Sequence, residues 1–291
     1  MVRALCTLTL MAVLTAATTL TAQWPTRVND QLPRRTDGSV NLGGPAPRAA
    51  DGHVDFSGVW AGPGYCLGDS PSLLRASDSA GTAGPRPSAT MVFEGRPVPL
   101  ATCFDVGAAI SGGAPLQPWA TELKRQRMRD NLIDSPQAHC LPMGPLQLWL
   151  NNQPREIVQT PRQLVVMAET NEGLRRIFTD GRSSPDNDPQ PWWYGYSVGR
   201  WDGDTLVVTT TNLKDAQWLD INGTPLTAQA RITERMRRTT FGTIDIEMTI
   251  DDPGAFTRPF SVGLQQHLVP DQELIEFVCE NEQSSKHYVR P

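Results

Sequence analysis

Hydrophobic and polar residues alternate with a period of two through most of the second half of the chain. The clearest segment is 243–251, in which isoleucine or methionine fills the even positions and aspartate, glutamate or threonine fills the odd ones. This pattern is typical of β-strands that have one buried and one exposed face. Turn residues between such segments predict about nine strands. They span residues 157–160, 163–169, 174–179, 196–201, 205–211, 230–238, 243–251, 258–268 and 273–280.

The predicted strands follow one another through short connections without crossover helices, which favours antiparallel pairing, and their number favours closure of the sheet. We therefore predict a mainly β fold, an antiparallel, meandering β-barrel of the lipocalin or calycin type, with a β-sandwich as the alternative. The interior of a barrel of this size can hold one small ligand. One helix is expected from Pro118, because proline suits a first helical turn, to about Asn131.

Proline and glycine interrupt residues 23–118 at many positions. This part is predicted to be an irregular arm packed on the barrel, with a mobile loop over 69–90. The apolar residues within 54–60 are expected to be buried even so. Residues 119–291 are then the helix followed by the antiparallel β-barrel domain.

The first 22 residues have the features of a signal peptide. Arg3 precedes an apolar run over 4–14, and small residues lead to a cleavage site after Ala22. We therefore expect residues 1–22 to be removed and the protein to be periplasmic or secreted. No later segment is long and apolar enough to span a bilayer, so no stable membrane insertion is expected.

The chain has five cysteines, of which Cys6 lies in the predicted signal peptide. The four others are Cys66, Cys103, Cys140 and Cys279, and an even number in an oxidising compartment predicts two disulfides. Three pairings are open, and we predict Cys66 with Cys103 and Cys140 with Cys279. No two cysteines stand at zinc-ligand spacing, so no metal site is expected.

Composition narrows the function further. The net charge of −5 gives no basic footprint and argues against nucleic-acid binding. No phosphate-binding glycine loop or dinucleotide fingerprint is present, so no cofactor is expected. The segment 195–199, Gly-Tyr-Ser-Val-Gly, matches the serine-hydrolase elbow in letters, but a strand and a hairpin follow it where the elbow requires a helix.

Aromatic residues are concentrated at one place, with two tryptophans and two tyrosines between positions 192 and 196 of a chain that holds 8 Trp and 4 Tyr. Such a cluster forms either part of the core or a stacking wall for a flat ligand. The predicted ligand-binding residues are Trp192, Trp193, Tyr194, Tyr196, Trp218, Arg200 and Arg235.

Two carboxylates are candidates for catalysis. Glu234 shares a strand face with apolar neighbours and is expected to point inward, and Asp220 follows a tryptophan. A buried carboxylate is either paired or has a raised pKa, so either residue could be a general acid or base. The structural alternative for Glu234, an ion pair with Arg175, Arg176 or Arg200, is favoured because such pairs also occur in barrel interiors.

Six segments of the chain are distinctive together. They are 55–60 (DFSGVW), 139–145 (HCLPMGP), 191–199 (PWWYGYSVG), 201–208 (WDGDTLVV), 233–235 (TER) and 251–253 (DDP). With these segments the chain resembles a large family of exported proteins of soil bacteria over nearly its whole length. The resemblance implies export and a single domain unit, but no activity and no residue roles. Many members carry His at the position of Tyr196 and an acidic residue at that of Thr209, and the absence of this pair here argues against catalysis by that route.

Three functions are therefore considered. The first is an exported β-barrel that binds an apolar, aromatic or sugar-like small molecule. The alternative is an exported enzyme, a hydrolase, lyase or isomerase without metal or cofactor, that uses Glu234 or Asp220. The third is a structural accessory protein of the cell envelope that has an envelope protein as its partner.

Overall fold

The structure is a computed structural model that describes residues 29–30, 32–62, 90–102, 104–151, 153–170, 173–185, 190–215, 217–277 and 279. The predicted signal peptide, residues 1–22, lies outside the described residues. So do Cys66, Cys103 and, except for residue 90, the loop predicted over 69–90.

Strands dominate the described residues. They are β1 Gly58–Ala61, β2 Thr90–Phe93, β3 Arg96–Pro99, β4 Arg155–Thr160, β5 Gln163–Ala168, β6 Gly173–Phe178, β7 Tyr196–Asp202, β8 Thr205–Thr211, β9 Gln217–Trp218, β10 Pro225–Leu226, β11 Arg231–Thr240, β12 Thr243–Asp251 and β13 Phe260–Leu268. The α-helices are α1 Pro118–Arg129, which confirms the predicted helix, and α2 Pro145–Leu150; a 3₁₀ helix spans Pro136–His139.

Nine strands close into a barrel in the order β1-β13-β12-β11-β8-β7-β6-β5-β4, and β4 pairs with β1 to complete it. This confirms the mainly β fold and the closed barrel. All neighbouring strands in the barrel are antiparallel except β6 and β7, which are parallel. Parallel neighbours need a connection of a dozen or more residues, and residues 179–195 between β6 and β7 provide it.

The strand that closes the barrel comes from the region predicted to be an arm. Trp60 of β1 pairs with Leu268 of β13 on one side and with Arg155 of β4 on the other. The final strand predicted over 273–280 is wrong, because residues 273–277 and 279 lie in no strand. Trp60 is fully buried, and this burial explains why an irregular, proline-rich region joins the sheet.

The interior of the barrel is packed with the chain's own side chains. All six residues of α2 are buried, and four of them belong to the same hydrophobic cluster as the inward-facing residues of the strands: Leu146, Leu148, Trp149 and Leu150. Trp149 of α2 reaches Glu234 of β11, to which its indole Nε1 donates a hydrogen bond of 2.6 Å. The expectation that the barrel interior is hollow enough for a ligand is therefore not met among the described residues.

The outer face of β12 and β13 is covered by the β2–β3 hairpin. Met91, Phe93 and Val98 of this hairpin form a small second core, and Arg96 Nη2 lies 2.9 Å from Glu247 Oε2. Glu247 occupies a polar position of the alternating segment but is only 6 % exposed, because the hairpin lies over it.

One of the two predicted disulfides falls within the described residues. Cys140 and Cys279 are bonded, with Cα atoms 5.4 Å apart and a sequence separation of 139, which confirms this pairing. Among the helices that the structure describes, none has the length and apolar character needed to cross a membrane.

Candidate functional site

A groove opens where the barrel wall is weakly joined. The parallel strands β6 and β7 pair only at Ile177 with Ser197 and at Phe178 with Val198. The first three residues of β6, 173–175, therefore extend past the start of β7. The aromatic segment 192–196 lies beside them and, together with β6, encloses a groove of about 570 Å³.

We call this space the aromatic groove. It is lined by Pro142, Gly173, Leu174, Arg175, Arg176, Phe178, Arg182, Trp192, Trp193, Tyr194, Gly195, Tyr196 and Ser197. Four of the seven residues predicted to bind a ligand are thus brought together, and they are the four that are clustered in the sequence.

Backbone contacts fix the aromatic segment in place. The backbone N–H of Trp192 donates to the carbonyl oxygen of Asn212 at 2.9 Å, and the buried amide Nε2 of Gln217 donates to the carbonyl oxygen of Trp193 at 2.6 Å. Gly195 has φ +66°, and a Cβ atom there would lie 2.4 Å from Thr210 Cγ2, so only glycine fits. The rings are therefore held by a rigid turn.

The walls of the groove are aromatic. The rings of Phe178 and Tyr196 lie 5.2 Å apart at 32° to each other, and Trp192 is 53 % exposed. Tyr194 is buried, and burial raises the pKa of its hydroxyl to about 12. Tyr194 therefore stays protonated at neutral pH and can donate a hydrogen bond.

Two exposed arginines lie against the ring of Phe178. The guanidinium carbon of Arg182 is 3.8 Å from the ring centroid and that of Arg176 is 4.8 Å from it, which are cation–π distances. Arg182 also donates to both carboxylate oxygens of Asp180, at 2.8 and 2.6 Å. This pairing lowers the pKa of Asp180 to about 2, so Asp180 is ionised at neutral pH and neutralises Arg182.

The third arginine of the groove is neutralised from the barrel interior. Arg175 is 1 % exposed. It pairs with Glu234, to which its Nη1 donates at 2.9 Å. Its Nη2 also donates to Thr210 Oγ1 at 3.0 Å and to Ser197 Oγ at 3.1 Å. Glu234 therefore points inward and forms an ion pair with Arg175, which is one of the three arginine partners named in the structural alternative to catalysis.

The other candidate carboxylate lies elsewhere. Asp220 is fully buried and accepts hydrogen bonds from the backbone N–H groups of Val106 at 2.9 Å and Thr224 at 3.0 Å. Burial raises the pKa of Asp220, and the charge of Lys124, 3.6 Å away, opposes this shift. Asp220 thus ties the segment before α1 to the loop before β10. Neither it nor Glu234 lines the groove.

The remaining residues predicted to bind a ligand also lie outside the groove lining. Trp218 is buried, with the guanidinium of Arg127 4.5 Å above its ring. Arg200 is exposed on β7. Arg235 forms an ion pair of 2.9 Å with Glu94 at the turn of the β2–β3 hairpin. The last contact fixes the hairpin to the outside of the barrel.

Sequence reasoning missed the β6 wall of the groove. Leu174, Arg176 and Phe178 occupy alternate positions of a strand that was predicted, with the inward positions between them. Leucine and phenylalanine on the same strand face as an arginine are the signal that could have identified a covered or ligand-binding surface.

The groove offers little for acid–base or metal chemistry. Ser197 lies within β7 and its hydroxyl contacts Arg175 and Thr210, so the strand–turn–helix context of a hydrolase elbow is absent there. Of the residues that the structure describes, no histidine and no carboxylate lines the groove. Within the described ranges, no three His, Cys, Asp or Glu residues are grouped to hold a metal ion.

No protein-family model, curated protein or solved structure matches this chain. Its function is therefore inferred from the geometry and chemistry of the aromatic groove.

Proposed function

We propose that this chain is an exported protein that binds an apolar or aromatic small molecule in the aromatic groove. The observation that carries the proposal is that the four aromatic residues clustered between positions 192 and 196 line one groove of about 570 Å³. Pockets that hold small ligands are usually of this size, about 300–1,000 Å³, and are lined mainly by apolar and aromatic side chains. Export rests on the signal-peptide features of residues 1–22.

The rigidity of the groove supports binding. Its aromatic segment is anchored by Asn212, Gln217 and the turn at Gly195. A ligand that stacks there has few side chains to order, so little of the contact energy is lost to conformational entropy. Each well-placed aromatic contact contributes about 0.5–1.5 kcal/mol beyond the burial of area.

The composition of the lining favours binding over catalysis. General acid–base chemistry needs a group that titrates near neutral pH and lies within hydrogen-bond reach of the substrate. Among the described residues of this groove the titratable side chains are arginines and tyrosines, and burial raises the pKa of Tyr194 to about 12. The enzymatic and envelope-accessory alternatives stay predictions.

We expect Trp192→Ala to weaken the binding of aromatic compounds roughly three- to tenfold, because it removes one stacking wall. Trp192 is half-exposed, so the fold is retained. A thermal-shift screen of aromatic compounds on the purified protein finds binders, and titration calorimetry of wild type and variant measures the change.

Trp119→Ala is the matched control. Trp119 is 48 % exposed on α1 and lies outside the groove lining, so its removal should leave the affinity unchanged. Failure of every aromatic compound to bind wild type would refute the proposal, and so would equal weakening by the two tryptophan variants.

A further inference from the structure

We propose that the ligand of the aromatic groove is an anion, a small aromatic carboxylate whose ring lies against the aromatic wall and whose carboxylate is bound by Arg176. This inference rests on the proposed function, since it names the class of ligand for the same groove.

The polar side chains that line the groove are almost all hydrogen-bond donors. Among the residues that the structure describes, they are Arg175, Arg176, Arg182, Tyr194, Tyr196 and Ser197, and no described Asp, Glu, Asn, Gln or His lines the groove. A guanidinium has five N–H donors and no acceptor. Such a surface is complementary to a ligand rich in acceptors.

The three arginines differ in how their charge is balanced. Arg175 is paired with Glu234, and Arg182 is paired with Asp180. Arg176 has its Nε 3.3 Å from the amide oxygen of Gln163. Within the part of the chain that the structure describes, no carboxylate forms an ion pair with Arg176. The positive charge of this side chain is therefore available to a ligand at the wall of the groove.

The position of Arg176 suits a carboxylate attached to a ring. The guanidinium lies over the face of Phe178, which is itself 5.2 Å from the ring of Tyr196. A flat ligand that stacks on this aromatic surface places a substituent at its edge close to the guanidinium. The planar fork of an arginine matches a carboxylate with two parallel hydrogen bonds.

A second guanidinium near the same ring strengthens this argument. Arg182 lies over Phe178 as well, so two positive charges face one ring. Asp180 neutralises only one of them. An anion bound beside Arg176 would balance the positive charge that Asp180 leaves unneutralised.

The test uses matched pairs of probes that differ only in charge: benzoate with benzamide, 2-naphthoate with 2-naphthamide, and indole-3-acetate with indole-3-acetamide. We expect the acid of at least one pair to bind wild type about tenfold more tightly than its amide at pH 7 and low salt. Arg176→Gln should remove that preference while leaving amide binding unchanged. Arg258→Gln, which removes an exposed arginine outside the groove lining, should leave the preference intact.

The pH dependence gives an independent measurement. Binding of 2-naphthoate should persist as the pH is lowered and weaken to the level of 2-naphthamide below about pH 4, where a carboxylic acid takes up its proton. Asp180 has a lowered pKa of about 2, so it stays ionised across this window and the groove keeps its charge. The weakening then reports protonation of the ligand, and 2-naphthamide should bind equally at both ends of the window.

The outcomes separate the two proposals. If the acids never exceed their amides, or if Arg176→Gln behaves like Arg258→Gln, the anionic ligand is refuted while binding of aromatic molecules by the groove stands. If no acid and no amide binds wild type, both proposals fail.

Discussion

Glu234→Gln should lower the free energy of unfolding by about 3–5 kcal/mol, because it leaves the guanidinium of Arg175 buried without its carboxylate. The side chains of both partners are fully buried. Glutamine keeps the shape of the side chain and can still accept the hydrogen bond from Trp149, so the loss reports the missing charge. Urea unfolding followed by tryptophan fluorescence at pH 7 measures the change.

Two further variants test whether the loss comes from leaving a buried charge unpaired and not from removing a carboxylate in general. Asp204→Asn breaks an exposed ion pair in which the side chain of Asp204 is 49 % exposed and that of Arg48 is 55 % exposed. It should change the free energy of unfolding by less than about 1 kcal/mol. The double variant Arg175→Met/Glu234→Leu should recover much of the loss, since apolar residues of similar volume often replace a buried pair. Equal midpoints for Glu234→Gln and Asp204→Asn would contradict the expectation.

The sequence predicted much of the barrel because its strands alternate between buried and exposed positions. Segment 243–251 alternates cleanly and coincides with β12. The predicted hairpin between β7 and β8 is also present, although its turn is Gly203-Asp204, one position after the expected Asp202-Gly203. Each of these strands has one face against the core, so the period of two records the burial directly.

The closing strand was not predictable in the same way. β1 has only four residues, Gly58–Ala61, and lies in a region rich in proline and glycine. Its partners, β4 and β13, are far away in the sequence. Pairing over such separations leaves no local periodic signal, whereas the apolar segment 273–277 resembles a strand but forms none.

The candidate site was predictable only where its residues are neighbours in the sequence. Trp192, Trp193, Tyr194 and Tyr196 stand out in the sequence, and they line the groove. The opposite wall depends on the parallel pairing of β6 with β7, which alternation cannot distinguish from antiparallel pairing. The sequence likewise indicated that Glu234 points inward, but not that α2 fills the space beside it.

The double variant Cys140→Ser/Cys279→Ser should lower the free energy of unfolding by about 4–5 kcal/mol. The two cysteines are separated by 139 positions. In the chain-entropy model, a disulfide that closes so long a loop removes much of the freedom of the unfolded chain. Urea unfolding of wild type and variant under non-reducing conditions measures the change, and mass spectrometry of unreduced peptides confirms the bond in wild type.

A cycle of single variants distinguishes loss of the bond from damage at either site. Either Cys140→Ser or Cys279→Ser alone breaks the same bond, so each should destabilise about as much as the double variant, and the two effects should not add. Additive effects would show that the thiols act separately, and a wild-type midpoint for the double variant would show that the bond contributes nothing.

Because Cys140 lies two residues before Pro142 of the groove lining, we also expect loss of the disulfide to weaken binding of whichever aromatic compound binds wild type.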